Sequence, residues 1–271
     1  MKVKWRYLSI VLLLFVLVVG VVSNHQQQPV NYHSHQTIQT GVLRDTTFSL
    51  VASAENSTTH YQQQYGYIED IGDGRGYTAG IIGFTSATGD LRQVIQRYAK
   101  LRPHNKLVAF LPALKKVQGS ASHRGLGNKF VQAWRQAAPD TKLIQAQNDI
   151  LNQQYLKPAL QAAKADDLGP LGQYIYYDAL VVHGPGDDRS SFGGIRQKAL
   201  QQAKSPRQGG TQRHYLQTFL RCRAKIMRQE TAHQDLSRLK VQEALLKQHN
   251  YTLQRPLIWT MYGDHYHLKI R

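Results

Sequence analysis

From Thr88 almost to the C-terminus the apolar residues recur at helical spacing, and this periodicity constrains the fold more than any other feature of the chain. Leu91, Val94, Ile95 and Tyr98 share one helix face, as do Phe130, Ala133, Trp134 and Ala137. Further helices are predicted at 141–156, 171–182, 191–203, 212–230 and 235–249, separated by breaks such as Gly184-Pro-Gly and Gln208-Gly-Gly. An earlier helix carries Phe48, Leu50, Val51 and Ala54 on one face and stops at Asn56-Ser57, which puts Glu55 in its last turn. One stretch departs from this pattern. The segments 65–70 and 77–84 are aromatic and β-branched, and the glycine-rich 72–76 between them supplies a turn, so a small hairpin is predicted with Asp73 at its tip. The tail from Trp259 to Leu268 reads as extended. The expected fold class is α+β, predominantly α-helical, with one small β element and no internal repeat.

Packing alone has to hold these elements together. Cys222 is the only cysteine, so no intrachain disulfide or cysteine-based zinc site can form. Its place in the helical run 215–227 suits a buried, inert thiol. A chain of 271 residues can bury enough core without such staples.

The first residues set Lys2, Lys4 and Arg6 ahead of an apolar run from Ile10 to Val22, with small residues at its end. That is the layout of a signal peptide, here residues 1–23, and implies a secreted protein. A retained membrane anchor competes, but the run falls short of the roughly 20 residues that span a bilayer. Residues 24–44, rich in Gln, His and Thr without apolar periodicity, read as a flexible linker, and 45–271 as the functional domain.

Formal charge is +17, or +14 once the three basic residues of the leader are removed. Such a balance points to nucleic acid, an anionic cell envelope or an anionic membrane. Its distribution resists that simple reading. Between Glu55 and Asp90 five acids (Glu55, Glu69, Asp70, Asp73 and Asp90) meet one base, Arg75, leaving this stretch at −4. An acidic strip in a basic protein suits a cationic ligand.

Glycosidic bonds are commonly cut by two carboxyl groups across a cleft, one protonated and one ionised. Glu55 at a helix end and Asp73 on a hairpin tip can face each other in this way. The acid needs a raised pKa, which apolar neighbours such as Val51 and Ala54 favour. The base must stay ionised, its flanking glycines admit solvent, and Thr78 offers a hydroxyl to hold water. The plain alternative is a solvated glutamate and a turn aspartate.

The string from Ser53-Ala-Glu-Asn56 through Tyr65, Asp73-Gly-Arg-Gly-Tyr-Thr78 and Gly83 to Asp90 resembles glycoside hydrolase family 46, the chitosanases. The likeness continues through Leu111-Pro-Ala-Leu-Lys-Lys, Gln145-Ala-Gln-Asn-Asp, Tyr176-Tyr-Asp, His183-Gly-Pro-Gly and Asp235-Leu-Ser-Arg. It implies a two-lobed, lysozyme-like fold and an inverting endo-hydrolase of chitosan. Glu55 then matches the proton donor, Asp73 the general base and Thr78 the residue that places the attacking water. Asp90 matches a contact to a glucosamine amine and Arg75 a residue lining the cleft; Glu69, Asp70 and Glu230 are further candidates for ammonium contacts, and Tyr67 for substrate binding. Asp178, Arg223 and Arg238 match a buried ion network that supports the catalytic base. No metal or other cofactor is implied, nor specific nucleic acid or a stable protein partner. The basic surface departs from expectation, since it repels a polycation, and association with an anionic cell envelope is one reconciliation. The rivals are a nucleic-acid- or cell-wall-binding protein, a carbohydrate binder that has lost catalysis, and a lysozyme-like peptidoglycan hydrolase.

Overall fold

The computed structural model describes residues 36–229 and 235–270. The predicted leader, the linker up to residue 35, and Glu230 lie outside them. The described remainder of the predicted linker is part of the fold. Ile38 is fully buried, the Gln173 side chain accepts from Ile38 N (3.1 Å) and donates to Gln36 O (3.3 Å), and helix α1 (Gly41–Glu55) has begun by residue 41.

Two helices form the centre. In α1 every residue from Thr46 to Ser53 is buried, so the helix is enclosed rather than buried on the single face expected. Three of its four enclosed hydroxyls bond to carbonyls: Thr46 Oγ1 donates to Val42 O (2.8 Å), Ser53 Oγ to Leu50 O (2.8 Å) and Ser49 Oγ to Thr59 O (3.0 Å), while Thr47 Oγ1 is buried with no partner among the described residues.

The remaining helices are α2 (Asp90–Leu101), α3 (Leu111–Val117), α4 (Gly127–Ala137), α5 (Thr141–Leu151), α6 (Lys157–Ala165), α7 (Pro170–His183), α8 (Phe192–Gln202), α9 (Gln212–Met227) and α10 (Ser237–Lys247). The second central helix, α7, is buried from Pro170 to Leu180. Where periodicity predicted an apolar stripe the stripe is buried: Leu91, Val94, Ile95 and Tyr98 on α2, and Phe130, Ala133 and Trp134 on α4. Helices α2 and α5 pack together and are tied by Arg97 Nε to Asp149 (2.7 Å), while Tyr98 OH donates to Asp140 at the α5 N-cap (2.6 Å).

The predicted hairpin is strands β1 (Ile68–Asp70) and β2 (Tyr77–Ala79), antiparallel with Asp70 opposite Tyr77. A third strand, β3 (Phe84–Thr85), completes the sheet, and Tyr65 belongs to a 3-10 turn rather than to a strand. The extended tail is a hairpin of β4 (Leu257–Met261) and β5 (Asp264–Leu268). It packs on α10 and is anchored to α1 by Trp259 Nε1 donating to Ser53 Oγ (3.0 Å). The helix expected over 141–156 is not uniform: α5 ends at Leu151 and a π-helical turn, Asn152–Leu156, leads into α6.

Candidate active site

The C-terminal end of α1, the three-stranded sheet, the N-terminus of α2, the π turn and the C-terminal end of α7 converge on a cavity of about 720 Å³. Glu55, Thr78, Asp90, Tyr155 and His183 line it, each from a different one of these elements.

Glu55 is the last residue of α1 and its side chain is 28 % exposed. Arg238 Nη2 on α10 makes a short contact to its Oε1. Arg238 is itself buried and donates through Nε to Asp178 Oδ1 (2.9 Å) on α7, while Asp178 Oδ2 accepts from Arg223 Nη1 (3.0 Å) and Gln242 Nε2 (2.8 Å). Arg223 Nε donates to His183 Nε2 (3.3 Å), so the chain of contacts starts and ends at the cavity wall. Burial alone pushes the Asp178 pKa up, but the two arginines outweigh it and hold the carboxyl below its ordinary value. Asp178 therefore stays charged, and the network fixes the direction from which Arg238 meets Glu55.

Residues 71–76 close the hairpin. Asp73 Oδ1 accepts from Arg75 N (2.9 Å), and its Oδ2 meets Arg75 Nε (2.7 Å) and Nη2 (2.6 Å). Partial burial raises the Asp73 pKa, and the bonds and charge of Arg75 more than reverse this, leaving it below the usual value. Arg75 lines the cavity although Asp73 itself does not. Glu69 stands in the same relation: it is outside the lining and accepts from the OH of Tyr67, which is inside (3.3 Å). Thr78, in the middle of β2, is 7 % exposed, and its Oγ1 is buried with no hydrogen-bond partner among the described residues.

Asp90 opens α2. Its Oδ1 accepts from Thr85 N (2.8 Å), Thr88 Oγ1 (2.6 Å) and Leu91 N (2.8 Å), and its Oδ2 from Tyr155 OH (3.1 Å). Burial nevertheless raises its pKa above the ordinary carboxylate value, and a cation arriving in the cavity would act in the opposite direction.

The chain matches the Glycosyl hydrolase family 46 profile over residues 49–257. It is 53 % identical over 224 residues to a chitosanase from Streptomyces sp. (strain N174), covering 82 % of this chain and 81 % of that one. It is 34 % identical over 220 residues to a chitosanase from Bacillus subtilis (strain 168), covering 77 % and 78 %. Among solved structures it is similar to a chitosanase co-crystallised with substrate (TM-score 0.84, 49 % identity, 86 % of this chain and 99 % of that one). A family 46 chitosanase from Gynuella sunshinyii, in complex with chitotetraose, is similar at TM-score 0.79 and 35 % identity, with the same coverages. The chain belongs to glycosyl hydrolase family 46.

As a family 46 hydrolase its fold is the predominantly helical α+β expected, and of the sequence-derived site residues Glu55, Tyr67, Arg75, Thr78 and Asp90 line the cavity, while Asp73 and Glu69 stand outside its lining. One expectation is corrected. The network of Asp178, Arg223 and Arg238 was expected to support the base, Asp73, but it reaches Glu55, because α10 packs its Arg238 against the end of α1; the arginine beside Asp73 is Arg75. Among the cavity residues that escaped the sequence as site residues are Tyr155 and His183. Tyr155 gave no signal, since nothing in the apolar spacing marks the π turn that aims it at Asp90. His183 lay in a recognised motif without an assigned role. Among the described residues no cluster of His, Cys, Asp or Glu could hold a metal ion.

Proposed function

We propose that this family 46 hydrolase is an endo-acting chitosanase that cleaves β-1,4 links between glucosamine residues with inversion. The observation that carries the reading is that Glu55, Thr78 and Asp90 line one cavity and that the Thr78 hydroxyl has no partner among the described residues. Arg238 engages Glu55 Oε1, so the proton delivered to the leaving oxygen belongs on Oε2. Asp73, kept ionised by Arg75, is the base for a water held by the Thr78 hydroxyl. Asp90, with its carboxylate ordered by four donors, suits the ammonium of a glucosamine unit. Two carboxyls acting on a water need a separation of about 6.5–9.5 Å during turnover. Export through the N-terminal leader fits a polymeric substrate that cannot enter a cell, and N-terminal sequencing of protein from culture medium tests it.

The deciding experiment is reducing-end release from soluble chitosan and from peptidoglycan, with Glu55→Gln and Asp73→Asn beside the wild type and the anomer of the first product read by NMR. Cleavage of chitosan alone, with the inverted anomer first and loss of turnover in both variants, is the expected result. Turnover of peptidoglycan but not chitosan would transfer the site to a different polysaccharide, and unimpaired variants would remove these two carboxyls from the mechanism.

A further inference from the structure

The turn that carries Asp73 is held from outside by a loop the reaction does not use. Residues 118–126 join α3 to α4, and Gly119 N donates to Ala87 O (2.8 Å), seating that loop beside the sheet. From it the His123 ring stacks on Tyr77, the first residue of β2, with centroids 4.1 Å apart and planes 18° from parallel. His123 Nε2 lies 3.0 Å from Asp70 Oδ2, at the last residue of β1. The other oxygen of Asp70 accepts from Gly72 N (2.9 Å), the residue before Asp73. One histidine thus touches both strand ends between which the turn hangs, and does so through the carboxylate that shapes the turn.

The contact to Asp70 is close but does not meet hydrogen-bond geometry, and Nε2 is buried with no aligned partner among the described residues. Its strength therefore rests on the charge of the ring. The other charged or titratable groups on the packed elements include Tyr77 beneath the ring, Glu69 on β1, Arg124 next to His123 in the loop, Lys129 and Arg135 on α4, the latter donating to Ile68 O (3.4 Å), and the Asp73–Arg75 pair on the turn itself. Imidazole changes charge in the mildly acidic to neutral range.

We propose that His123 is a positioning residue for Asp73: its charged ring, stacked on Tyr77 and paired with Asp70, fixes the turn that presents the general base, and releases that turn as the ring loses its proton. The inference rests on Asp73 being the base.

His123→Phe keeps a flat ring for the stack and removes the charge, and Asp70→Asn keeps an acceptor for Gly72 and removes the charge. kcat and KM for a defined glucosamine oligomer are measured from acidic to neutral pH, with Tm, for the wild type, both variants, their double and Asp73→Asn. The expected result is a kcat lowered on the order of tenfold by His123→Phe, at nearly unchanged KM and Tm, because small misplacements of a reacting group are costly. The ratio of wild-type to variant kcat is greatest at acidic pH and falls towards one as imidazole deprotonates. Asp70→Asn gives the same ratio profile, and the double variant is no slower than the slower single. A ratio that is flat with pH, a kcat equal to wild type, or additive effects in the double variant would each overturn the proposal. An active Asp73→Asn would instead remove the base assignment, so the two failures are distinguishable.

Discussion

A buried hydroxyl without a partner costs about 1–3 kcal/mol, and Thr78 carries one at the cavity wall. Valine has the same shape and no hydroxyl, so Thr78→Val is expected to leave Tm unchanged or raise it while lowering kcat about 10²-fold, since the attacking water loses its anchor. Thr78→Ser restores the hydroxyl and should recover most of that loss; a Thr78→Val enzyme as fast as wild type would show that the water is held elsewhere. With Asp73 as the proposed base, the acid limb of the pH–rate profile is expected to follow its ionisation. A base must be ionised, its pKa lies below the ordinary value, and catalysis therefore persists to a lower pH than an unassisted aspartate allows. Arg75→Gln removes the charge and side-chain bonds that lower this pKa and leaves the burial that raises it. The acid limb of kcat/KM is expected to move to higher pH, and a pH–rate series on the variant measures it.

At the scale of elements, the ion network ties α7, α9 and α10 to the end of α1 through Asp178, Arg223, Arg238 and Glu55. Asp178→Asn leaves two buried arginines facing a neutral amide, which costs about 3–5 kcal/mol and lowers Tm by roughly 10 °C for a domain of this size. The folded pKa of Asp178 is depressed, so its contribution is present above the unfolded aspartate pKa and is lost as pH falls through the folded one. Acid denaturation of wild type beside Asp178→Asn checks both the size and the pH window, the gap between them closing at low pH. Most helices were legible because their stripes are continuous, as in α2 and α4. The two central helices were legible as helices, but the enclosure of α1 on all sides was not, because Thr46, Ser49 and Ser53 count as polar in a pattern yet bond to nearby carbonyls and are enclosed. The π turn was invisible for a geometric reason. One extra residue in a turn rotates the helix beyond it by about 100°, and Leu151 and Leu156 on either side still look like ordinary core positions. The target of the ion network was hidden by distance in sequence, since Arg238 meets a glutamate 183 residues earlier.

At the scale of the whole molecule, charge is segregated along the chain. Residues 91–142 carry eleven lysines and arginines against a single acid, Asp140, and this segment runs from α2 to the start of α5, while the acidic stretch 55–90 precedes it and supplies part of the cavity wall. Lys115, Lys116, Arg124 and Lys129 are exposed on α3, the loop after it and α4. A polycation approaching the acidic cavity meets their repulsion over a Debye length of about 30 Å at 0.01 M salt and about 8 Å at 0.15 M. Changing these four to Gln is expected to raise kcat/KM for polymeric chitosan at low salt, by a factor on the order of ten at most, and the advantage should vanish at 0.15 M. A short glucosamine oligomer, which fits within the cavity and samples little of this field, should show no change in kcat. The same substitutions should weaken retention on anionic cell-wall material and shift its release to lower salt, since each removes a cation from the face proposed to hold the enzyme there. If the four-residue variant matches wild type on the polymer at every ionic strength and still binds anionic walls as tightly, the basic segment lies beyond reach of both, and its charge serves neither approach nor attachment.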